Sequence, residues 1–336
     1  MLAPVVHCTR LAYSETFSAL GGAEVYLKLE NEQKTGSFKV RGAYNCIANL
    51  APECRSRGVI ASSAGNHAQG VAFAARVFGV PATVVMPASA PRAKQLATEG
   101  YGARVVLHGE NYDEAYAEAR RLQAELGATF VHPFDDYDVI AGQGTIALEV
   151  LTELQALDTV VVPVGGGGLA AGIGFVVKSL SPSTRVVGVQ AAHAPAMADS
   201  WGCGRRVERP VTPTLADGLA VGRPGEIVFP LLQRYLDDLI TVDEAKIADA
   251  ISLLLERAKM LVEGAGAVGL AAVLARAVGA RSGKVAVLVT GGNIDVGRVL
   301  PASVQRLLAA PPSREGEVAE IGARSAPVTD GRAAGA

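Results

Sequence analysis

Short runs of β-branched and aliphatic residues alternate along this chain with longer stretches whose apolar positions recur at helical spacing. Val59-Ile60-Ala61 reads as a strand, and Val71, Ala74, Ala75 and Phe78 then mark one face of a helix. Thr83-Val84-Val85-Met86 and Arg104-Val105-Val106-Leu107 are the next strands, with a helix over 91–98 between them that Gly100 stops. Asn111 caps a further helix, with Glu114 in capping-box register, a stripe at Tyr112, Ala115, Tyr116 and Ala119, and Gly127 at its end. Phe130-Val131 resumes the strands. Others are expected at 160–164, 186–189 and 285–289, and 244–261 reads as one long helix. This alternation predicts an α/β architecture of open, twisted, mostly parallel sheets flanked by helices.

Composition narrows the class. The 336 residues are 49% hydrophobic, enough for sizeable cores. A formal net charge of −2 with no Lys/Arg run argues against a nucleic-acid surface. Residues 160–177 are uncharged, but Pro163 and the glycines at 165–168 rule out a lipid-exposed helix, so no membrane span is expected. Cys8, Cys46, Cys54 and Cys203 form no Cys-x-x-Cys pair. The five histidines are scattered, so no metal site is expected. The N-terminus lacks the basic and apolar regions of a signal peptide, and a reducing, cytoplasmic setting follows.

Four segments carry candidate chemistry. In Thr35-Gly36-Ser37-Phe38-Lys39-Val40-Arg41-Gly42-Ala43, the stripe Val40, Ala43, Tyr44 and Ile47 predicts a helix with Ser37 as N-cap. Lys39 then lies in its first turn, where the helix dipole disfavours a positive charge and favours a reactive neutral amine. A lone lysine would otherwise read as a solvated surface residue. Ser62-Ser63-Ala64-Gly65-Asn66-His67-Ala68-Gln69-Gly70 joins a strand to a helix and offers backbone N–H groups that suit a carboxylate, although a capped turn would look the same. Gly165-Gly166-Gly167-Gly168-Leu169 does likewise for a phosphate. No Gly-Lys-Ser/Thr follows, so it is not a nucleotide P-loop. Gly166-x-Gly168-x-x-Ala171 fits a loose dinucleotide fingerprint, but the next strand ends in Gln190 where an acidic residue is wanted. Thr290-Gly291-Gly292-Asn293 places a hydroxyl at the C-terminal end of a strand, facing the ligand crevice of such sheets.

Taken in order, these four motifs resemble the serine/threonine dehydratases, fold-type II pyridoxal 5′-phosphate (PLP) enzymes of tryptophan synthase β-like architecture. The resemblance runs from about Val5 to about Leu308. It implies that Lys39 carries PLP as a Schiff base and acts as the base at the substrate α-carbon. It also implies that Phe38 lies beside the ring and that Asn66 bonds the phenolic oxygen. Gly165, Gly166, Gly167, Gly168 and Leu169 would hold the phosphate, and Thr290 would face the pyridine nitrogen. Ser63, Ala64, Gly65 and His67 would surround the substrate carboxylate, and Glu263 would lie near the cofactor. The implied reaction is β-elimination from a β-hydroxy amino acid, L-threonine giving 2-oxobutanoate and L-serine giving pyruvate, each with ammonia. The cofactor would lie in a cleft between a large domain, 1–57 plus 133–308, and a small one, 58–132, with 309–336 as a polar tail. A homodimer or higher homo-oligomer is expected.

Two positions depart from relatives of this kind. Ala64 stands where serine racemases carry a proton-exchanging serine, which disfavours racemisation. Gln190 stands where some relatives place a carboxylate that binds a divalent cation. The segment before Ala3 is shorter than in relatives of this kind, and no regulatory amino-acid-binding domain is expected after Leu308. The rival readings are a specialised lyase acting on hydroxyaspartate, phenylserine or an osmolyte-derived amino acid, a serine racemase, a Rossmann-type NAD oxidoreductase, and a non-enzymatic binding protein.

Overall fold

The computed structural model describes residues 2–279 and 283–294. The expected polar tail, 309–336, and the end of the expected large domain lie outside the described residues. Within them, six strands form one sheet in the order β1 (Leu11–Tyr13), β2 (Glu24–Leu29), β10 (Lys284–Val289), β7 (Thr159–Pro163), β8 (Arg185–Ala191) and β9 (Asp238–Val242). Four more form a second, in the order β5 (Arg104–Leu107), β4 (Ala82–Met86), β3 (Val59–Ser62) and β6 (Thr129–Phe130). Every pairing is parallel except that of β1 with β2.

The period of two explains how each sheet is covered. Val25, Leu27, Leu29, Val285, Val287 and Val289 enter one core with the helices Glu244–Ala258 and Gly264–Leu274. Ala286, Leu288, Val160 and Val162 enter the opposite core with the helices Tyr137–Glu153, Gly168–Leu180 and Val228–Tyr235. Strands buried on both faces read as unbroken apolar runs, which is why β7 and β10 are plain in the sequence. In the smaller sheet Ile60 and Val85 face Ala115 and Ala119 of the helix Tyr112–Leu126. Val84 and Met86 face Ala68 and Ala72 on the other side.

Several expectations shift. Strands β1, β2 and β9 escape the pattern, because β1 is very short and β2 and β9 carry charged residues. The helix expected over 244–261 ends at Ala258, where Lys259 turns left-handed at φ 59° and closes it. Tyr112 begins its helix but stays exposed, so the buried stripe is Ala115 and Ala119. Asn111 does cap that helix, its side chain accepting from the Glu114 N–H.

The helix Lys39–Asn49 is wedged between the helices Asn66–Phe78 and Tyr137–Glu153. A Cβ on Gly142 would stand 2.6 Å from the Arg41 carbonyl oxygen, an approach only glycine permits. Ser37 is not its N-cap: Phe38 fills that position without a side-chain bond, and the Ser37 hydroxyl is buried with no partner among the described residues. Strand pairing takes precedence there, since Ser37 forms an antiparallel bridge with Gly291 and the Phe38 N–H donates to the Thr290 carbonyl.

Candidate active site

The C-terminal ends of β3, β7 and β10 lead into the Ser63–Asn66 turn, the glycine loop and Thr290, so all three motifs open on the ends where parallel α/β sheets bind ligands. Lys39 starts its helix beside them. Its Nζ donates to the Pro133 carbonyl at 2.7 Å and lies 5.3 Å from the centre of the Phe38 ring. The residue is partly buried, and loss of hydration lowers its pKa from 10.5 to about 8, while the Glu263 charge pulls it back upward. An amine so placed is substantially neutral and nucleophilic in mildly alkaline water.

Glu263 precedes the helix Gly264–Leu274. Its carboxylate accepts from the Asn66 Nδ2 at 2.6 Å, and its own N–H donates to the Gly291 carbonyl. A Cβ on Gly291 would stand 2.3 Å from the Glu263 carboxylate, so this close approach requires glycine. Burial, with the Asp217 charge behind it, pushes the Glu263 carboxyl up to about 7, against the pull of Asn66, Lys94 and Lys39. Thr290 is buried at the end of β10.

The glycine loop closes on protein at each missing side chain. A Cβ on Gly166 would lie 2.2 Å from the Phe134 ring, and Gly167 turns left-handed at φ 98° to start the next helix. Its N–H groups point elsewhere. From Gly165 through Leu169 none of them donates to a protein acceptor among the described residues, although Gly166 to Leu169 are buried. Five successive unpartnered donors at a helix N-terminus are costly unless an anion meets them. The Ser63–Asn66 turn is similar. Gly65 N–H bonds the Ser63 hydroxyl, while the N–H groups of Ala64, Asn66, His67 and Ala68 have no protein acceptor among the described residues.

The His67 side chain turns to the protein interior. Its Nε2 donates to the Val131 carbonyl at 2.8 Å, and burial, with the nearby Lys39 charge, lowers its pKa to about 3. The ring is therefore neutral, with a bare Nδ1 that has no partner among the described residues. It has no proton left to offer a carboxylate, which leaves the main-chain N–H.

Sequence reasoning missed two groups. Residues 132–135 reach the lysine: His132 Nδ1 accepts from the Phe134 and Asp135 N–H groups, and the Asp135 carboxylate accepts from the N–H groups of Glu226, Ile227 and Val228. A proline and two aspartates directly after a strand were the available signal. The second is Arg41, within the quoted motif but given no role. Fully buried, it holds the buried Glu30 through Nε and NH2, each at 2.8 Å, and Glu149 at 2.6 and 3.0 Å. Lys28, also buried, pairs with Glu149 at 2.7 Å. A charged residue in an apolar strand was the clue at Lys28.

A family profile described as "Pyridoxal-phosphate dependent enzyme" matches residues 2–291. The chain belongs to this family of pyridoxal-phosphate dependent enzymes. Within it, the chain is 55% identical over 295 residues to an "L-threonine ammonia-lyase" of Thermotoga maritima, covering 88% of this chain and 73% of that one. Among solved structures, maize serine racemase superposes with a TM-score of 0.87 at 36% identity, covering 91% of this chain and 94% of the other. The processed form of threonine deaminase isoform 2 from Solanum lycopersicum gives 0.86 at 36% identity, covering 92% of this chain and 90% of that one. The residues present suit the PLP cofactor of this family. The unpartnered N–H groups from Gly165 to Leu169 match a phosphate, and the weakly hydrated Lys39 amine matches its aldehyde.

Proposed function

We propose that this PLP enzyme is a threonine ammonia-lyase, converting L-threonine to 2-oxobutanoate and ammonia and L-serine to pyruvate and ammonia. The reading rests on the Lys39 amine, poorly hydrated and bonded to Pro133, next in sequence to the Phe134 against which the glycine loop with its unpartnered donors packs, in a chain 55% identical to an L-threonine ammonia-lyase. Lys39, Asn66, Thr290 and the N–H groups from Gly165 to Leu169 would hold the cofactor, with Phe38 beside its ring. When bound, PLP supplies the electron sink that makes a proton on the substrate α-carbon removable. The N–H groups of Ala64, Asn66, His67 and Ala68 orient the substrate carboxylate. Lys39 Nζ, its pKa lowered to about 8, takes the α-proton in its neutral form. Ala64 has no atom that could return a proton to the opposite face, so the reaction proceeds to loss of the β-hydroxyl and not to racemisation.

In this reading the small domain, 58–132, and the large domain frame the cleft, and the enzyme is a cytoplasmic homodimer or higher homo-oligomer. No helix among the described residues is long and apolar enough to cross a membrane.

The test is 2-oxo acid release from L-threonine, L-serine, hydroxyaspartate and phenylserine, with product chirality followed on L-serine. L-threonine is expected to be the best substrate, and Lys39→Ala to lower its turnover at least about a thousandfold. Faster turnover of hydroxyaspartate or phenylserine would move the assignment to a specialised lyase. Efficient D-serine formation would defeat the role given to Ala64.

A further inference from the structure

Asn293 closes the fourth sequence motif and has no part in the function so far. Its Nδ2 donates to the Thr35 carbonyl at 2.8 Å and to the Asn66 Oδ1 at 2.8 Å. A side-chain amide can ordinarily be turned over, exchanging its donor and acceptor ends. Here the turn is prevented at one end, because a main-chain carbonyl can only accept. The atom facing Thr35 must be the Asn293 nitrogen, and so the Asn66 atom facing that same nitrogen must be oxygen. It follows that the Asn66 nitrogen points the other way, where it meets the Glu263 carboxylate at 2.6 Å. Asn293 is held in place as well. Gly36, at φ 70°, passes beneath it so closely that a Cβ there would stand 2.5 Å from the Asn293 Oδ1. The Gly292 N–H ties the two segments by donating to the Gly36 carbonyl.

We infer that Asn293 is a positioning residue that fixes the Asn66 amide as a hydrogen-bond donor toward the cofactor. The inference rests on the reading above, in which Asn66 meets the phenolic oxygen of PLP. One Asn66 N–H goes to Glu263 and the second is left for that oxygen. Without Asn293 the orientation of that amide rests on Glu263 alone, and wherever the Glu263 carboxyl is protonated the amide can turn and present its own oxygen there, replacing an attraction by a repulsion.

The experiment uses the holoenzyme and reads the visible absorption and circular dichroism of bound PLP, the PLP dissociation constant, kcat and KM. In Asn293→Asp the shape is kept but the donor is lost. The visible band is expected to move or split, kcat to fall about tenfold and KM for the amino acid to stay within about twofold, the scale of one net hydrogen bond. Asn293→Ala should behave alike. Placed on an Asn66→Ala background, either substitution should add nothing, because its effect passes through Asn66. A wild-type spectrum and kcat in Asn293→Asp would overturn the inference. So would a full second loss on the Asn66→Ala background, which would show that Asn293 acts on the fold alone. The spectral readout needs no substrate, so a wrong substrate assignment and a wrong role for Asn293 are told apart.

Discussion

Lys39 and Arg41 begin the same helix two residues apart, on opposite sides of the first turn, and their charges meet opposite fates. Arg41 is fully buried, yet Glu30 and Glu149 receive it with paired bonds that outweigh the loss of water and raise its pKa. Lys39 is less deeply covered, but its only hydrogen-bond partner among the described residues is the neutral Pro133 carbonyl, and its pKa falls to about 8. The difference teaches that burial alone does not make a lysine reactive; burial without a paired anion does. The two states also depend on each other. The ionic cluster of Arg41, Glu30, Glu149 and Lys28 fastens the helix to the end of β2 and to the helix Tyr137–Glu153, which keeps the amine where no carboxylate among the described residues pairs with it.

Removing Arg41 should break the comparison most severely. Arg41→Ala leaves Glu30 wholly buried and, among the described residues, facing only the Thr9 hydroxyl, so unfolding free energy is expected to fall by about 3–5 kcal/mol. Arg41→Lys keeps the charge without the planar fork and should recover only part of it. Urea unfolding of the two variants measures both. Equal stability of Arg41→Ala and the parent would mean that the cluster does not hold the helix.

Lys39 should respond in the opposite sense. Its folded pKa, about 8, lies below the ordinary 10.5, so the unfolded chain binds more protons between those values. Stability of the cofactor-free protein therefore rises with pH across that window, and below it the full penalty applies. Lys39→Met removes the penalty. At pH 7 the variant is expected to be more stable than the parent by up to about 3 kcal/mol, less to the extent that water reaches the amine. The gap should close toward pH 10.5. Thermal unfolding of the two apoproteins across pH 7–10.5 reads it, and a gap that widened with pH would contradict the sign.

The contrast between these two residues also marks what the sequence could carry. Apolar runs buried on both faces, such as β7 and β10, declare themselves because no polar residue interrupts them. Glycine loops after strands declare themselves through spacing. From these the parallel sheets were legible, whereas the cofactor and the role given to Lys39 came from the family resemblance carried by the four motifs in order. Strand β2 was not, because Lys28 and Glu24 break its pattern, and the partner that makes Lys28 tolerable lies far along the chain at Glu149. The Pro133 carbonyl and the Asn66–Glu263 contact were hidden for the same reason. Each joins residues about a hundred or more positions apart, and periodicity reports only what is local. Ser37 shows the converse, a local capping signal overridden by a bridge to Gly291.

The smallest expected effect tests whether the environment of Lys39 is tunable. Glu263 carries the charge that holds the Lys39 pKa up against desolvation. Glu263→Gln keeps an oxygen for the Asn66 N–H to donate to but removes that charge, so the amine should deprotonate more readily and its pKa should move down from about 8, by less than about one unit. The neutral amine is the form that captures the cofactor aldehyde, so the rate of PLP uptake by the apoenzyme should rise with pH through the Lys39 pKa. In Glu263→Gln the midpoint of that rise is expected at lower pH. A midpoint displaced upward would mean that Glu263 acts on Lys39 through packing, for its carboxyl is itself raised to about 7 and is partly protonated in this range. That protonation also sets the direction in which the effect fades. Below pH 7 Glu263 loses its charge in the parent as well, so the two proteins should converge on the acid side and differ most above it.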